Sequence, residues 1–503
     1  MKELKSLKFS RYYIGAKDAC TIKLLCLILV SLFTFITGVI IPAHAQVWYV
    51  KSDGLDTNTG VNWSQSFATI QKAMDSAGQT GDEIWVKTGT YPLSGQINVD
   101  KVVAIYGGFS GIGNERDWES YITIVDGQSS VRCFYVTADA TIDGFTITNG
   151  MVTGILGNGG GIFNFYSLST INNCILSNNL ATISGAGIYN LSSAPFITNC
   201  TFSRNIANTS GGGICNRFFY SSSPPAFPII TNCTFMENTA YNGGGIYNHS
   251  TPPITNCTFS GNRANSGGGI FNFYSSPPIT NCILWDNYAP SGMEIFNSGV
   301  ANPIVTYCDV EGGYGVPGDN NIDDDPMFVN VPLLRDISTG TGTISTIEVA
   351  DATLYAAGDI IEIDNDGVIR TVSSSSGTTV EFDPLLAVPS IAGMPVENWG
   401  PAATDLEEDL HLNSGSPCID TGDNHAPQLP GTDKDGKPRI IDGDNDGETI
   451  VDMGAYEFGS GCASDFDDDG DVDGYDLADF AAGGNSTSLE TFAIEFGRIC
   501  SSS

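Results

Sequence analysis

Seven of the twelve residues in DFDDDGDVDGYD (465–476) are aspartates, and their order is that of a cation loop. Asp465, Asp467 and Asp469 take positions 1, 3 and 5, Gly470 position 6, Asp471 position 7, Val472 position 8, Asp473 position 9 and Asp476 position 12. Calcium takes about six to eight oxygens, and this spacing offers carboxylates from alternate residues, a backbone carbonyl and a closing bidentate acid, with glycine at the sharp turn. A second loop, DGDNDGETIVD (442–452), begins the same way with Asp442, Asp444, Asp446 and Gly447. Its last acid, Asp452, falls one place early, and Met453 stands at position 12. The expected cofactor is Ca2+, held by Asp465, Asp467, Asp469, Asp471, Asp473 and Asp476, with Asp442, Asp444, Asp446 and Asp452 as a second set.

Acid–base candidates are scarce in the middle of the chain. Residues 151–300 hold only Glu237, Asp286 and Glu294 as acids, with Arg204, Arg217, Arg263 and His249 as bases. Alignment on a recurring cysteine puts Arg204, Glu237, Gly261 and Asp286 at one offset in successive repeats. Glu237 and Asp286 then stand two strand spacings apart, roughly 10 Å, at the far edge of what an inverting glycosidase uses. They are the candidate catalytic pair, and an Arg204–Glu237 ion pair between neighbouring strands is the plainer alternative. Tyr166, Phe218, Phe219, Tyr220 and Tyr274 leave from corresponding points of three repeats and are candidates for stacking on sugar rings. Mutual packing over the loops is the competing reading.

These residues must be positioned by a repeat. GGGIFN (159–164), GAGIYN (185–190), GGGICN (211–216), GGGIYN (243–248) and GGGIFN (267–272) recur, followed by a degraded GMEIFN (292–297). Between them lie INNCILSNN, ITNCTFSRN, ITNCTFMEN, ITNCTFSGN and ITNCILWDN. Short strands, asparagines and glycines at a period of about 25 residues predict a β-solenoid. Asn256 and Cys257 are adjacent, so both face inward only if the chain bends between them, and asparagine tolerates the left-handed conformation this needs. Cys174, Cys200, Cys233, Cys257, Cys282 and Cys308 fall at one repeat position and are expected as a column of buried thiols.

The repeats resemble those of right-handed parallel β-helix proteins, specifically the GGxI and FxxN repeats of polymorphic outer-membrane adhesins and a broader pectate-lyase-like group. GDEIWVKTGTY (81–91), YGGFSG (106–111), IDGFTITNG (142–150), DPMFVN (325–330), SPCIDTGDN (416–424) and VDMGAYEF (451–458) carry the likeness along nearly all of 46–460. The group includes adhesins, polysaccharide-binding proteins and enzymes. The loop at 465–476, followed by LADFAA, resembles the type I dockerin module, an EF-hand-like calcium module that binds cohesin domains. Its second segment, SLETFAIEFGR (488–498), keeps a helix but has lost the matching calcium loop.

The expected architecture is all-β: a right-handed parallel β-helix over 46–335 and 401–460, and an inserted β subdomain over 336–400. To these the sequence adds an N-terminal helical cap from SFATIQKAMDSAG (66–78) and a small α-helical dockerin-like module over 461–503. Cys462 and Cys500 bracket that module, and in an exported protein this favours a disulfide. Export is expected because six basic residues precede an apolar run from Leu24 to Ile41 and Ala43-His44-Ala45, a signal-peptide order with cleavage after Ala45. No transmembrane segment is expected after that cleavage.

The chain carries 21 Lys and Arg against 57 Asp and Glu, a net charge of −36. Such a field argues against nucleic acid as a partner and favours cations. The function expected is binding of a polysaccharide or cell-surface glycan, or adhesion, by a secreted or surface protein stabilised by calcium, with a cohesin-like protein as a further partner. The alternative is a polysaccharide lyase or glycoside hydrolase on the same fold.

Overall fold

The computed structural model describes residues 45–459, apart from 79, 219–226, 315–318, 365, 402, 404, 405, 407, 445 and 447. The expected signal peptide and the 461–503 module therefore lie outside the described residues.

Val47–Val50 opens the first of three long parallel sheets, and from Glu83 to Ser298 each turn of chain adds one short strand to each; the sheets number ten, nine and eight strands among the described residues. The first sheet contains Thr170–Asn172, Phe196–Thr198, Ile229–Thr231, Ile254–Thr255 and Pro278–Thr280. The second contains Ile175–Ser177, Thr201–Ser203, Thr234–Met236, Thr258–Ser260 and Ile283–Trp285, and the third Ile162–Phe165, Ile188–Leu191, Ile214–Arg217, Ile246–Asn248 and Ile270–Phe273. Register is strict. Ile171, Ile197, Ile230, Ile254 and Ile279 pair in succession, as do Leu176, Phe202, Phe235, Phe259 and Leu284. The isoleucines of the Gly-rich phrase do the same, so like side chains stack into buried columns. Phe202, Phe235 and Phe259 stack at 4.7 and 4.6 Å with planes 4° apart, which is the strand spacing of about 4.8 Å expressed in rings.

Single residues turn the corners. Asn173, Asn199, Asn232, Asn256 and Asn281 have φ between 50 and 54° and lead from the first sheet to the second. Each is followed by an inward cysteine; all six column thiols are buried and free. At the next corner Asn178, Arg204, Glu237, Gly261 and Asp286 hold φ of 54, 55, 53, 66 and 59°.

Directly inside that corner runs an asparagine ladder. Asn179, Asn205, Asn238 and Asn262 each donate a side-chain N–H to the next asparagine's Oδ1, at 2.9, 2.9, 2.9 and 2.7 Å. The last rung, Asn287, donates instead to Glu294 Oε2 at 2.6 Å. Glu294 replaces a glycine of the repeat in GMEIFN, and its carboxyl stands where the next asparagine's oxygen would be. Burial pushes its pKa well up despite these bonds. A second ladder, Asn164, Asn190, Asn216, Asn248, Asn272 and Asn297, ends on the Tyr314 hydroxyl at 2.7 Å.

Other segments attach to this column. The helix Ile70–Ser76 is N-capped by Thr69 and buries Ile70, Ala73 and Met74 in the core beside the first strands. It is shorter than the 66–78 phrase because Ala77 is already extended. Strands between Leu334 and Gly400 form a six-stranded antiparallel sheet with its own core, including Ile347, Tyr355, Ile361 and Phe382. Residues 401–460, expected as further solenoid coils, take a different course. Asp409–Leu412 pairs antiparallel with Phe328–Asn330, and Ile440–Ile441 with Ile450–Val451. This strap lies on the outside of the second sheet because Leu410, Leu412, Cys418, Ile419 and Met453 bury there against Ile283, Met236 and Trp285.

Asn238→Ala removes the acceptor for Asn205 N and Nδ2 and the donor to Phe202 O. Urea denaturation should show a loss of about 2–4 kcal/mol, the cost of orphaning buried groups. A loss below about 0.5 kcal/mol, the range of ordinary surface changes, would show that the ladder contributes little.

Candidate functional site: an arginine socket and a groove

The corner row Arg204–Glu237–Gly261–Asp286 is where the inserted sheet meets the solenoid. Gly261 leaves a gap in that row: a Cβ there would lie 2.5 Å from Arg335 Nη1. Arg335 comes from the first strand of the inserted sheet, Leu334–Ile337, and lays its guanidinium into the gap. Its Nε donates to Asp286 Oδ2 at 2.7 Å and its Nη1 to Glu397 Oε1 at 2.7 Å. Nη2 pairs with Glu408 Oε1 at 2.8 Å, and Nη1 stands 3.6 Å from Glu237 Oε1. Arg204 binds Glu237 directly and approaches Glu362 Oε2 at 3.6 Å. Arg263 adds a third cation, donating to Asp336 O at 3.2 Å.

The centre of the cluster is dry, with the Arg335 side chain 4% exposed, while Asp286 and Arg204 at its edge are 42% and 31% exposed. Burial alone would raise the carboxyls of Glu237, Glu362, Glu397 and Glu408. For Glu237 the charges of Arg204 and Arg335 outweigh that burial and hold its pKa below the usual carboxylate range. Glu397 goes the other way, pushed well up by burial and then by the charge of Glu237. Burial also raises Glu408, to about 7, with Arg335 opposing.

The two candidate catalytic acids are thus brought to one place, but as opposite jaws of a clamp. Arg335 fills the space between Glu237 and Asp286 that a reacting sugar and water would need. Arg335, Glu362, Glu397 and Glu408 carry no sequence signal for this role: each lies far along the chain from its partners. The one local hint is Gly261, a glycine in a row otherwise occupied by charged side chains.

A groove of about 490 Å³ opens beside the clamp, between the solenoid and the inserted sheet. Thr239, Arg263, Asn265 and Tyr288 line it from the solenoid, and Asp364 and Pro395 from the insert, with Arg204 and Glu237 at one side. Tyr288 is half exposed.

The other predicted residues are more scattered. Tyr166 and Tyr274 are exposed at φ of 51 and 50°, each edge-on to its neighbouring phenylalanine at 4.7 and 4.6 Å. They lie four turns apart, roughly 19 Å along the axis, and form no single ledge. Phe218 packs on Phe227 at 6.3 Å; Phe219 and Tyr220 lie outside the described residues. A stack not singled out in the sequence occupies the variable place of the GGGIxN phrase, where Phe163, Tyr189, Tyr247, Phe271 and Phe296 cluster on the outer face of the third sheet. The aromatic preference at that place was the available signal.

In the 442–452 loop, Asp442 and Asp444 converge with Asp420, one oxygen of each lying within 4.8 Å of the others. Asp446 accepts from Glu448 N at 2.9 Å, and buried Asp452 accepts from Asp420 N at 2.7 Å and Phe458 N at 2.5 Å. Asp465, Asp467, Asp469, Asp471, Asp473, Asp476, Cys462 and Cys500 lie outside the described residues.

The strap has electrostatic anchors of its own. Arg439 and Glu457 are fully buried 3.3 Å apart, and Arg439 Nη2 donates to the corner residue Asn232 at 2.6 Å. Nearer the surface, His411 sits between Asp409 and Asp435 at 2.5 and 2.7 Å, and its ring packs at a tilt on Tyr456. Burial opposes its charge, but the two aspartates prevail and push its pKa up to about 9.

Residues 218–322 match the family described as "Right handed beta helix region", and 199–217 match the "Chlamydia polymorphic membrane protein repeat". Three solved structures are similar. Pectate lyase Pel9A shares 13% identity over 82% of this chain and 96% of its own, at a TM-score of 0.32. Pectin methylesterase PemA from Erwinia chrysanthemi shares 10% over 55% and 93%, at 0.30. A tailspike protein of E. coli bacteriophage HK620 shares 12% over 66% and 89%, at 0.20. No curated protein matches the sequence. Family matches, parallel sheets and repeats together define a right-handed parallel β-helix protein. Among the described residues no helix is long and apolar enough to cross a membrane.

Two outcomes test these contacts. Gly261→Ala should expel Arg335 and speed proteolysis within 334–400 several-fold, with the far-ultraviolet dichroism of the solenoid retained; unchanged proteolysis would separate the glycine from docking. The raised pKa of His411 means that its contribution is complete below about pH 6.5 and fades as pH rises through about 9. Wild type should therefore lose thermal stability across that window and His411→Gln should lose less; parallel curves would show no such linkage.

Proposed function

We propose that this chain is an exported β-helix protein that binds a polysaccharide or glycan at or outside the cell surface. The observation that carries this reading is the groove beside the Arg335 clamp. Ligand sites combine a concave surface with a few converging polar groups, and here Thr239, Asn265 and Asp364 accompany the half-exposed ring of Tyr288. Tyrosine offers a flat apolar face together with a polar tip. The filled gap between Glu237 and Asp286 supports binding over hydrolysis by that pair.

Calcium stabilisation belongs to the same proposal. It draws on the spacing of Asp465, Asp467, Asp469, Asp471, Asp473 and Asp476 and on the convergence of Asp420, Asp442 and Asp444. The dockerin-like order of 465–476 makes a cohesin-like protein the further partner. Export rests on the basic, then apolar, then small-residue order of residues 1–45.

The test is a glycan array followed by calorimetric titration of each hit. Tyr288→Ala should weaken binding about tenfold, the equivalent of roughly 1.4 kcal/mol, with no reducing ends or unsaturated products released from a polysaccharide panel. Undiminished binding in that variant would move the site elsewhere. Product release would establish the lyase or hydrolase alternative.

A further inference from the structure

Beside the Arg335 clamp the solenoid carries a fourth, shorter sheet, built from Met151–Val152, Leu180–Ala181, Ile206–Ser210 and Thr239–Asn242. Single bridges continue it, pairing Thr239 with Arg263 and Arg263 with Tyr288. Side chains of a strand alternate between its two faces. Ala181, Ala207, Ala240, Ala264 and Ala289 are buried and take the inner face. The residues on either side of each alanine face out, and Ile206, Thr239, Arg263, Asn265, Tyr288 and Pro290 of that face line the groove.

The face changes character along the axis. Met151, Leu180 and Ile206 occupy three coils of one outward column, and Thr239, Arg263 and Tyr288 the next three. On the latter coils the neighbouring outward column holds Tyr241, Asn265 and Pro290. Three successive coils thus present hydrogen-bonding or ring-bearing side chains, and the aliphatic coils before them offer neither.

Two of the rings are open. Tyr241 is 56% exposed and Tyr288 50%, and among the described residues neither packs on another ring. They stand two coils apart, about 10 Å along the axis. Arg263 lies on the coil between them. Its guanidinium donates to Asp336 O at 3.2 Å and forms no ion pair among the described residues. A guanidinium has five N–H donors, so most of those of Arg263 lack a described acceptor. Burial lowers its pKa and the charge of Arg335 adds to this, with Glu397, Asp286 and Glu237 opposing at longer range.

Spacing selects the ligand. A pyranose in an extended chain is about as long as one strand spacing, about 4.8 Å, so successive sugars keep step with successive coils. A chain laid along the axis places one sugar on each of the coils of Thr239, Arg263 and Tyr288. Its outer rings fall on Tyr241 and Tyr288, whose flat faces are apolar, and the oxygens of the middle sugar meet Arg263 and Asn265. A peptide strand would instead need a free sheet edge, and the backbone here is already paired on both sides.

We propose that the groove holds a linear, extended glycan along the solenoid axis and grips a stretch of about three sugars, with Tyr241 as a second stacking platform and Arg263 donating to the sugar between Tyr241 and Tyr288. This rests on the glycan reading of the groove and adds to it the shape of the ligand and the length that is held.

The test is calorimetric titration of full-length protein with size ladders, disaccharide to hexasaccharide. The ladders are linear β-linked chains of glucose, mannose, xylose or N-acetylglucosamine and α-linked galacturonate, with cyclic glucans as the compact control. For a ladder that binds, affinity should rise about tenfold from disaccharide to trisaccharide and change little beyond the tetrasaccharide. Tyr241→Ala, at an exposed position, should remove most of that rise and leave disaccharide affinity within about threefold. Binding that Tyr288→Ala weakens, but that neither chain length nor Tyr241→Ala alters, would keep the glycan reading and overturn this inference. Equal affinity for a cyclic glucan would overturn it as well. If no ladder binds, or if binding ignores Tyr288→Ala, the reading of the groove falls and this inference with it. Self-association in sedimentation that Tyr241→Ala abolishes would assign the face to a second copy and overturn the glycan site.

Discussion

Everything in this molecule depends on coils stacking in register at one strand spacing. A residue that turns a corner in one coil must be matched by a residue that turns it in the next, and a polar atom buried in one coil must find its partner in the coil above. Asparagine meets both demands. At the first corner it accepts the left-handed conformation, and inside the second its amide donates to one neighbour while its carbonyl accepts from another. A ladder of this kind leaves no rung unsatisfied except the last, and Glu294 and Tyr314 close the two ladders. Buried amides cost free energy unless every bond is made, so the ladders bind the coils to a single alignment.

The attachments exploit the same regularity by interrupting it. Two segments lie against the column, and each inserts a buried arginine at a corner. Arg335 enters where Gly261 leaves a side chain out of the second corner row. Arg439 reaches the first corner row at Asn232, which already accepts the left-handed turn. Each guanidinium meets an acid of its own segment, Glu397 for one and Glu457 for the other, and Arg335 is also held by Asp286 of the solenoid and Glu408 of the strap. Removing one partner of such a cluster would strand the remaining charges in a dry site, at a cost of about 3–5 kcal/mol for a single buried pair. The interfaces are therefore specified by charge at a few points and by apolar burial over the rest.

Position in the repeat also decides what the surface can do. At the variable place of the third sheet the outward residues are aromatic except Cys215 and pack on one another along the axis, whereas those near the second corner are mostly charged and meet the insert. The groove forms only because the inserted sheet rises beside that corner, and Tyr288 gains a wall opposite it from a segment that follows it in sequence.

The solenoid was legible in the sequence because its forces are local and repeated. A period of about 25 residues, the adjacency of Asn256 and Cys257, and the triple glycines dictate strands, corners and inward columns wherever they occur. The inserted sheet was legible as well, as a β subdomain over 336–400. What the sequence could not convey was where either attachment would rest. The strap carries family-like phrases, yet its apolar residues found burial on the outside of the second sheet. Glu237 and Asp286 were readable as two acids in one row; only the folded chain could place Arg335 between them, because a buried charge chooses its partners by proximity in space and not along the chain.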